Sequence, residues 1–263
     1  MTTLRLSDRS RWRAARTLQD LADLTAAWLA GEIRSQPGYY GRVDVDEDRA
    51  PGLTAALVAC NRAGFLTRTS QASYVGPGYH GATRATALAA VHGYTDRDTA
   101  QRLFSASVWA PTRVHVFIHP IGAGRLGEDA REVSWADDRA TCSFGGCVPV
   151  GYLLDEFAGC SRHVIDALAH AWSVTVLDPE PGRNTLWAWL AEAVPALAKG
   201  ARPVPISGHR VPEYPDRCGC GGILRPADRP IFAPDGGAHL ILRCDHCGIQ
   251  TPMDWTWQPG VDR

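Results

Sequence analysis

Four cysteines toward the C-terminal end carry the plainest chemistry in this chain. They stand as Cys218-Gly219-Cys220-Gly221-Gly222 and, with 23 residues separating Cys220 from Cys244, as Cys244-Asp245-His246-Cys247-Gly248. Two close cysteine pairs, each followed by glycine, describe two knuckles, because glycine permits the tight turn in which backbone N–H groups point at thiolates. Four thiolates in a tetrahedral array make a closed structural zinc site. Between the pairs, Ala233-Pro234-Asp235-Gly236-Gly237 reads as a hairpin turn leading into the strand AHLILRC. The first knuckle is Cys-x-Cys, one residue shorter than the usual Cys-x-x-Cys, and His246 offers a further nitrogen inside the second. The alternative reading is four reduced, packed thiols.

Other residues could be assembled into sites with less pattern behind them. Cys142, Cys147, Cys160 and His163 have spacings that allow a second zinc site, with buried thiols as the competing reading. His115 and His119 share one face of the strand RVHVFIHP but stand about 13 Å apart along it, too far to grip one ion together. His119, before Pro120 and the glycine-rich IGAGRLGED, is the better-placed general base, and His80 is a second. GAGRLG has the look of a phosphate loop but lacks both Gly-x-Gly-x-x-Gly and the Gly-Lys-[Ser/Thr] ending. Neither Gly-x-Ser-x-Gly nor His-Glu-x-x-His occurs. Asp44, Asp46, Glu47 and Asp48 form a carboxylate run best read as a solvated surface.

The stretch NRAGFLTRTSQ, residues 61–71, gathers Thr67, Thr69, Ser70 and Gln71 behind an apolar pair. Read with a short strand at Phe65 to Thr67, these side chains fall just past a strand end, where hydroxyls and an amide can converge on a small polar ligand. The alternative is an ordinary turn satisfying its own backbone.

These groups need elements to position them. Thr17 is an N-cap ahead of Leu18, Leu21, Leu24 and Trp28 at helical spacing, and the arginine-rich SDRSRWRAAR extends that helix backwards. A second helix follows Pro51, with Leu53, Leu57 and Cys60 on one face and Gly64 as its stop. YVGPGYHG reads as a loop, and ATRATALAAVHGY is ambiguous between helix and strand. A helix from Arg97 to Ala110 is followed by the alternating strand RVHVFIHP and a hairpin turning near Ala136-Asp137-Asp138. Ser161 caps a helix with Ile165, Leu168 and Trp172 inward, Ser173 to Leu177 is a strand, and Asn184 starts a last helix. Interleaved helices and strands give an α/β or α+β main domain over residues 1–198. A proline-rich connector spans 199–213 and the zinc ribbon 214–263.

Composition removes several functions. A net charge of −1 creates no field to draw the chain to nucleic acid or anionic lipid. Residues 208–263 hold six arginines against seven acidic residues, which argues against a phosphate-binding ribbon. No run of about 18 apolar residues marks a membrane span. The opening MTTLRLSDRSRW has no apolar signal segment, so the expected compartment is the cytoplasm, where eight cysteines serve metals or cores rather than disulfides.

Two resemblances add to this. From SRWRAARTLQDLADLTAAWLAG through PGYYGR, CNRAGFLTRTSQ and VTVLDPEPGRNTLWAWL, roughly residues 8–194, the chain resembles an uncharacterised domain family of Streptomyces and related actinobacteria. The pattern Asn61-x-x-Gly64-x-Leu66-Thr67-x-x-Ser70-Gln71 is similar to one in the regulatory domain of eukaryotic methylenetetrahydrofolate reductases, which binds S-adenosylmethionine. That resemblance implies Thr67 and Ser70 at the ligand with Gln71 adjacent, and departs from the pattern at Ala72, where proline is usual. The resulting expectation is a small-molecule-binding protein, of S-adenosylmethionine class, with a structural zinc ribbon. One alternative is an enzyme using the same pocket, with His80 or His119 as acid and base. Another is a nucleic-acid or protein adaptor working through the ribbon and Arg5, Arg9, Arg11, Arg13 and Arg16.

Overall fold

The computed structural model describes residues 6–37, 47–78, 81–108 and 114–198, and beyond them the backbone of five short strands. The chain divides into two compact units, residues 1–205 and 206–263.

The first unit opens with helix α1 (Leu6–Ala14), separate from the next helix rather than continuous with it. The break is made by Asp20, whose carboxylate accepts from the N–H groups of both Arg16 and Thr17. Thr17 answers by accepting from Asp20 N, so a complete capping box starts α2 (Leu18–Leu29). Helix α3 (Leu53–Arg62) ends as its sequence demands, with Gly64 at φ 88°.

Strand β1 (Leu66–Gln71) corrects the short-strand expectation: Thr69, Ser70 and Gln71 lie inside a strand, not beyond its end. Threonine suits a pleated strand, and antiparallel pairing takes the chain straight through the hydroxyl run, with one bulge between Thr67 and Thr69. The expected loop at 74–81 contains β2 (Tyr74–Pro77). The ambiguous alanine-rich segment is two strands, β3 (Arg84–Ala87) and β4 (Ala90–Thr95), because both neighbours offer ladder partners. Then come α4 (Arg97–Val108), β5 (His115–Pro120), the hairpin β6 (Arg131–Ala136) and β7 (Arg139–Phe144), and α5 (Val150–Glu156).

Helix α6 (Arg162–Ala169) follows Ser161, whose hydroxyl donates to Ala15 O at 2.6 Å instead of capping the helix. Trp172 belongs to β8 (Trp172–Leu177), not to that helix, and α7 (Leu186–Ala198) closes the unit.

Two four-stranded sheets result, ordered β1-β4-β8-β5 and β2-β3-β6-β7. Every pairing within them is antiparallel, so the fold is α+β; the α/β option fails. Helix α4 connects β4 to β5, and β8 is inserted antiparallel between these two strands. Interleaving in sequence therefore produced no parallel neighbours.

One cluster of core residues, including Trp12, Leu21, Trp28, Leu66, Tyr94, Leu153, Phe157 and Leu168, joins the helices α1, α2, α5 and α6 to the first sheet. A second, Leu88, Ala90, Val133, Phe144 and Leu177, joins the two sheets.

In the second unit, β9 (Leu224–Pro226), β10 (Ile231–Phe232), β11 (Ala238–His239), β12 (Ile241–Cys244) and β13 (Gln250–Pro252) are short. The pair β10-β11 is antiparallel on either side of residues 233–237, and β13-β12-β9 form a second small sheet. Cys218, Cys220 and Cys247 lie outside the described residues, and Cys244 is described only as backbone at the end of β12. No helix of the described residues is long and apolar enough to cross a membrane.

Candidate functional site

Antiparallel register sets the polar members of the first sheet on one face. His92, Thr175 and Phe117 stand side by side on β4, β8 and β5, and Tyr94, Ser173 and His119 form the next row. Alternation like this ordinarily marks a solvated face. Here the same residues are buried, His92, Tyr94, Ser173, Thr175 and His119 alike.

Their cover is polar too. Glu156 at the end of α5 accepts from Arg68 Nε at 2.8 Å and from the Tyr94 hydroxyl at 2.6 Å. Arg68 also donates to Pro37 O at 3.3 Å and lies over the Phe157 ring. His92 meets Tyr94 edge-on, and its Nδ1 is 3.4 Å from Thr175 Oγ1. Burial drives the His92 pKa down to about 4, with the Glu156 charge opposing, so the imidazole is neutral near pH 7. Burial, reinforced by Glu156, likewise raises the Tyr94 phenol well above its usual range.

The exit from β7 crosses this face through Gly145 and Gly146, both at positive φ. A Cβ on Gly145 would overlap the Thr175 hydroxyl, and one on Gly146 would strike the backbone of Glu128 and Ala130. Ser173 Oγ donates to Gly146 O at 2.9 Å, fixing the crossing.

The next residue, Cys147, is tied to the glycine-rich segment that the sequence marked. Cys147 N donates to Glu128 O at 2.7 Å, and Gly127 N to Cys147 O at 3.1 Å. IGAGRLGED is thus no phosphate loop but a strap held against Cys147. It carries Asp129, at φ 62°, beside His119. One ring nitrogen of His119, the Cys147 sulfur and an Asp129 carboxylate oxygen all lie within 4.8 Å of one another. Nε2 of His119 is buried with no hydrogen-bond partner. Burial lowers the His119 pKa and raises that of Cys147, whose thiol the Asp129 and Glu128 charges push further up.

The second-zinc set is not assembled among the described residues. Cys142 is exposed on β7 and His163 exposed on α6, while Cys160 packs against the apolar cluster. Cys147 joins His119 and Asp129 instead, a partnership no local spacing could reveal.

Two of the residues singled out in β1, Thr67 and Gln71, are occupied by the fold itself. Thr67 Oγ1 accepts from Asn61 Nδ2 at 2.6 Å while Thr67 N donates to Asn61 Oδ1 at 3.1 Å. Gln71 spans the two sheets, donating to Leu88 O and Val133 O at 3.0 and 2.9 Å and accepting from Ser134 Oγ at 3.0 Å. Ser70 is half-buried in the row of Val91, on the face away from His92. His80 lies outside the described residues.

A cavity of about 760 Å³ opens beside the first half of the same motif. Leu18, Ala59, Ala63 and Pro195 supply apolar surface, and Gln19, Arg62, Asp96 and Thr99 supply polar groups. Asp96 caps α4, accepting from Thr99 N at 2.9 Å and Thr99 Oγ1 at 2.6 Å. Arg62 reaches Glu32 only loosely, at 3.8 Å, with both side chains well exposed. Sequence reasoning missed Arg62 and Asp96, since both sit at helix ends that read as ordinary caps.

Fold and site define an α+β domain with one buried polar sheet face and a separate open cavity. Residues 7–197 match the family described as Domain of unknown function (DUF6919), and the chain belongs to that family. No curated protein matches the chain.

Proposed function

We propose that the main domain binds a small polar molecule in the cavity beside Arg62 and Asp96, and that the C-terminal unit is a structural zinc ribbon held by Cys218, Cys220, Cys244 and Cys247. The observation that carries the first part is the cavity itself. Its volume of about 760 Å³ falls in the range of small-molecule sites, which pair apolar walls with a few convergent polar groups.

The ligand class we favour is adenosyl, S-adenosylmethionine or its demethylated product. Arg62 offers a cation for an amino-acid carboxylate, and Asp96 has acceptor capacity left for a ribose diol or an ammonium. The similarity of Asn61-x-x-Gly64-x-Leu66-Thr67-x-x-Ser70-Gln71 to an adenosyl-binding domain motivates this class. The hydrogen bonds of Thr67 and Gln71 argue that these two shape the motif rather than touch the ligand. Binding for sensing or regulation requires no catalytic group, and the setting we propose is the cytoplasm.

The test is thermal unfolding of the full chain against a panel of nucleotides and cofactors that includes S-adenosylmethionine and S-adenosylhomocysteine. A ligand at a hundredfold its Kd stabilises by about 2.7 kcal/mol, a readily visible midpoint shift. We expect the adenosyl compounds to produce it, and Arg62→Ala or Asp96→Asn to remove it without altering the unliganded midpoint by more than a degree or so. A shift that survives both substitutions but vanishes in Ser70→Ala would move the site to the far end of β1. No shift with any adenosyl compound would end the adenosyl reading. For the ribbon, Cys218→Ser/Cys220→Ser is expected to hold one zinc equivalent fewer than wild type.

A further inference from the structure

We propose that His119, Asp129 and Cys147 form a second metal site, taking a zinc-class divalent cation in the main domain and sharing no residue with the cavity lining or with the ribbon cysteines. The three donors come from three places, the next-to-last residue of β5, the glycine-rich strap and the exit of the β6-β7 hairpin. The fold brings their ligand atoms within 4.8 Å of one another.

Donor chemistry selects the ion. One imidazole, one thiol and one carboxylate form a mixed set suited to zinc and its borderline-soft neighbours, not to magnesium or calcium, which prefer oxygen alone. Bonds of about 2.0–2.3 Å in a tetrahedron put donors roughly 3.3–3.8 Å apart, so a contraction of about 1 Å completes the grip. Three protein ligands leave a fourth position for water or an anion, the arrangement of reactive rather than purely structural zinc.

Two independent features point to an ion here. His119 is only 6% exposed and its Nε2 has no hydrogen-bond partner; buried ring nitrogens are ordinarily satisfied, and a cation is one way to satisfy them. The second is how the strap is shaped around the sulfur. Gly124, at φ 64°, passes so near that a Cβ would come within 2.7 Å of Cys147 Sγ and 2.8 Å of Glu128 Oε2. Glu128 Oε2 accepts from Arg125 N at 2.8 Å, a bond within the strap that fixes its turn beside Cys147. Asp129 itself adopts φ 62°, a conformation uncommon outside glycine that aspartate and asparagine tolerate best.

The experiment is metal content of the full chain after zinc loading and passage over a competing chelator, measured by elemental mass spectrometry. We expect Cys147→Ser and His119→Ala to hold one zinc equivalent fewer than wild type, and Cys142→Ser to match wild type. The ribbon contributes equally to every variant, so the difference stands whether or not the ribbon binds zinc. Asp129→Asn guards against misfolding, because the residue is exposed and asparagine keeps the left-handed backbone; it should weaken the site at least about tenfold. In the cobalt-loaded protein, a thiolate-to-cobalt band should persist in Cys142→Ser and disappear in Cys147→Ser against the ribbon background. Equal zinc in wild type, Cys147→Ser and Asp129→Asn would overturn the proposal.

Discussion

Arg68 Nε stands 2.8 Å from Glu156 Oε1 with the two side chains only 6% and 12% exposed. This pair links the bulge of β1 to the end of α5, and Glu156 takes the Tyr94 hydroxyl on its other oxygen. A buried ion pair repays its desolvation only while both partners remain. Glu156→Ala should therefore cost about 3–5 kcal/mol, because it strands a buried guanidinium. Glu156→Gln, which keeps an acceptor, should cost less. Replacing both members with apolar side chains, Arg68→Met with Glu156→Leu, should recover much of the loss. Denaturant midpoints at unchanged slope would check the ordering; an alanine variant as stable as wild type contradicts it.

His92 sets a pH window. Its pKa is about 4 when folded, against 6.5 for an ordinary histidine. Burial is the main cause; Arg68 and His119 push the same way, and Glu156 opposes them. Above pH 6.5 the imidazole is neutral in both states and contributes nothing. As pH falls from 6.5 toward 4, the unfolded chain takes up a proton that the folded chain refuses, so stability declines through that window and the decline ends near 4. The full effect is about 3 kcal/mol. His92→Gln should flatten the stability profile between pH 6.5 and 4 relative to wild type. Parallel profiles would show that His92 is hydrated or paired when folded.

Asn61 and Thr67 exchange two hydrogen bonds, and Asn61 Nδ2 also donates to Leu57 O at 2.8 Å. The amide therefore locks the end of α3 to the start of β1, which explains why the motif needs asparagine six residues before threonine. Asn61→Ala leaves buried groups unpaired and should cost roughly 2–4 kcal/mol, while Ser70→Ala should be near neutral. Comparable losses in both would mean that Ser70 carries structure too.

What the sequence made legible is local. Thr17, Asp20 and the leucines after them state a capped amphipathic helix, and the alternation of RVHVFIHP states a strand, because cap and period are properties of neighbours. The face assignment was not legible. His92 and Tyr94, Thr175, and His119 occupy alternate positions of their strands as a solvated face would, and only the second sheet, α5 and the strap convert that face into an interior. The same holds for the candidate metal donors. Cys147 was grouped with Cys142 by spacing, yet the hairpin exit through Gly145 and Gly146 carries it across the sheet to His119. Alanine in the segment 82–90 left helix and strand undecided for a related reason: intrinsic helix preference gave way to two ladders supplied from elsewhere in the chain.

Gly145 makes the crossing possible and so offers the sharpest stability test. At φ 72° it occupies backbone space that side chains rarely tolerate, and a Cβ there would overlap the Thr175 hydroxyl and approach His92 Nδ1 to 3.4 Å. Thr175 lies at the middle of the central strand β8, paired on both sides with His92 and Phe117, so it has little room to retreat. Gly145→Ala should cost about 2–4 kcal/mol from strain and overpacking together. Adding Thr175→Ala removes the clash but not the backbone strain, and should restore part of the loss, a coupling that only neighbours show. If metal is held at His119, Asp129 and Cys147, Gly145→Ala should also loosen it, since the displaced hairpin exit carries Cys147. Zinc content unchanged in a variant with a clearly lowered midpoint would separate the crossing from the site.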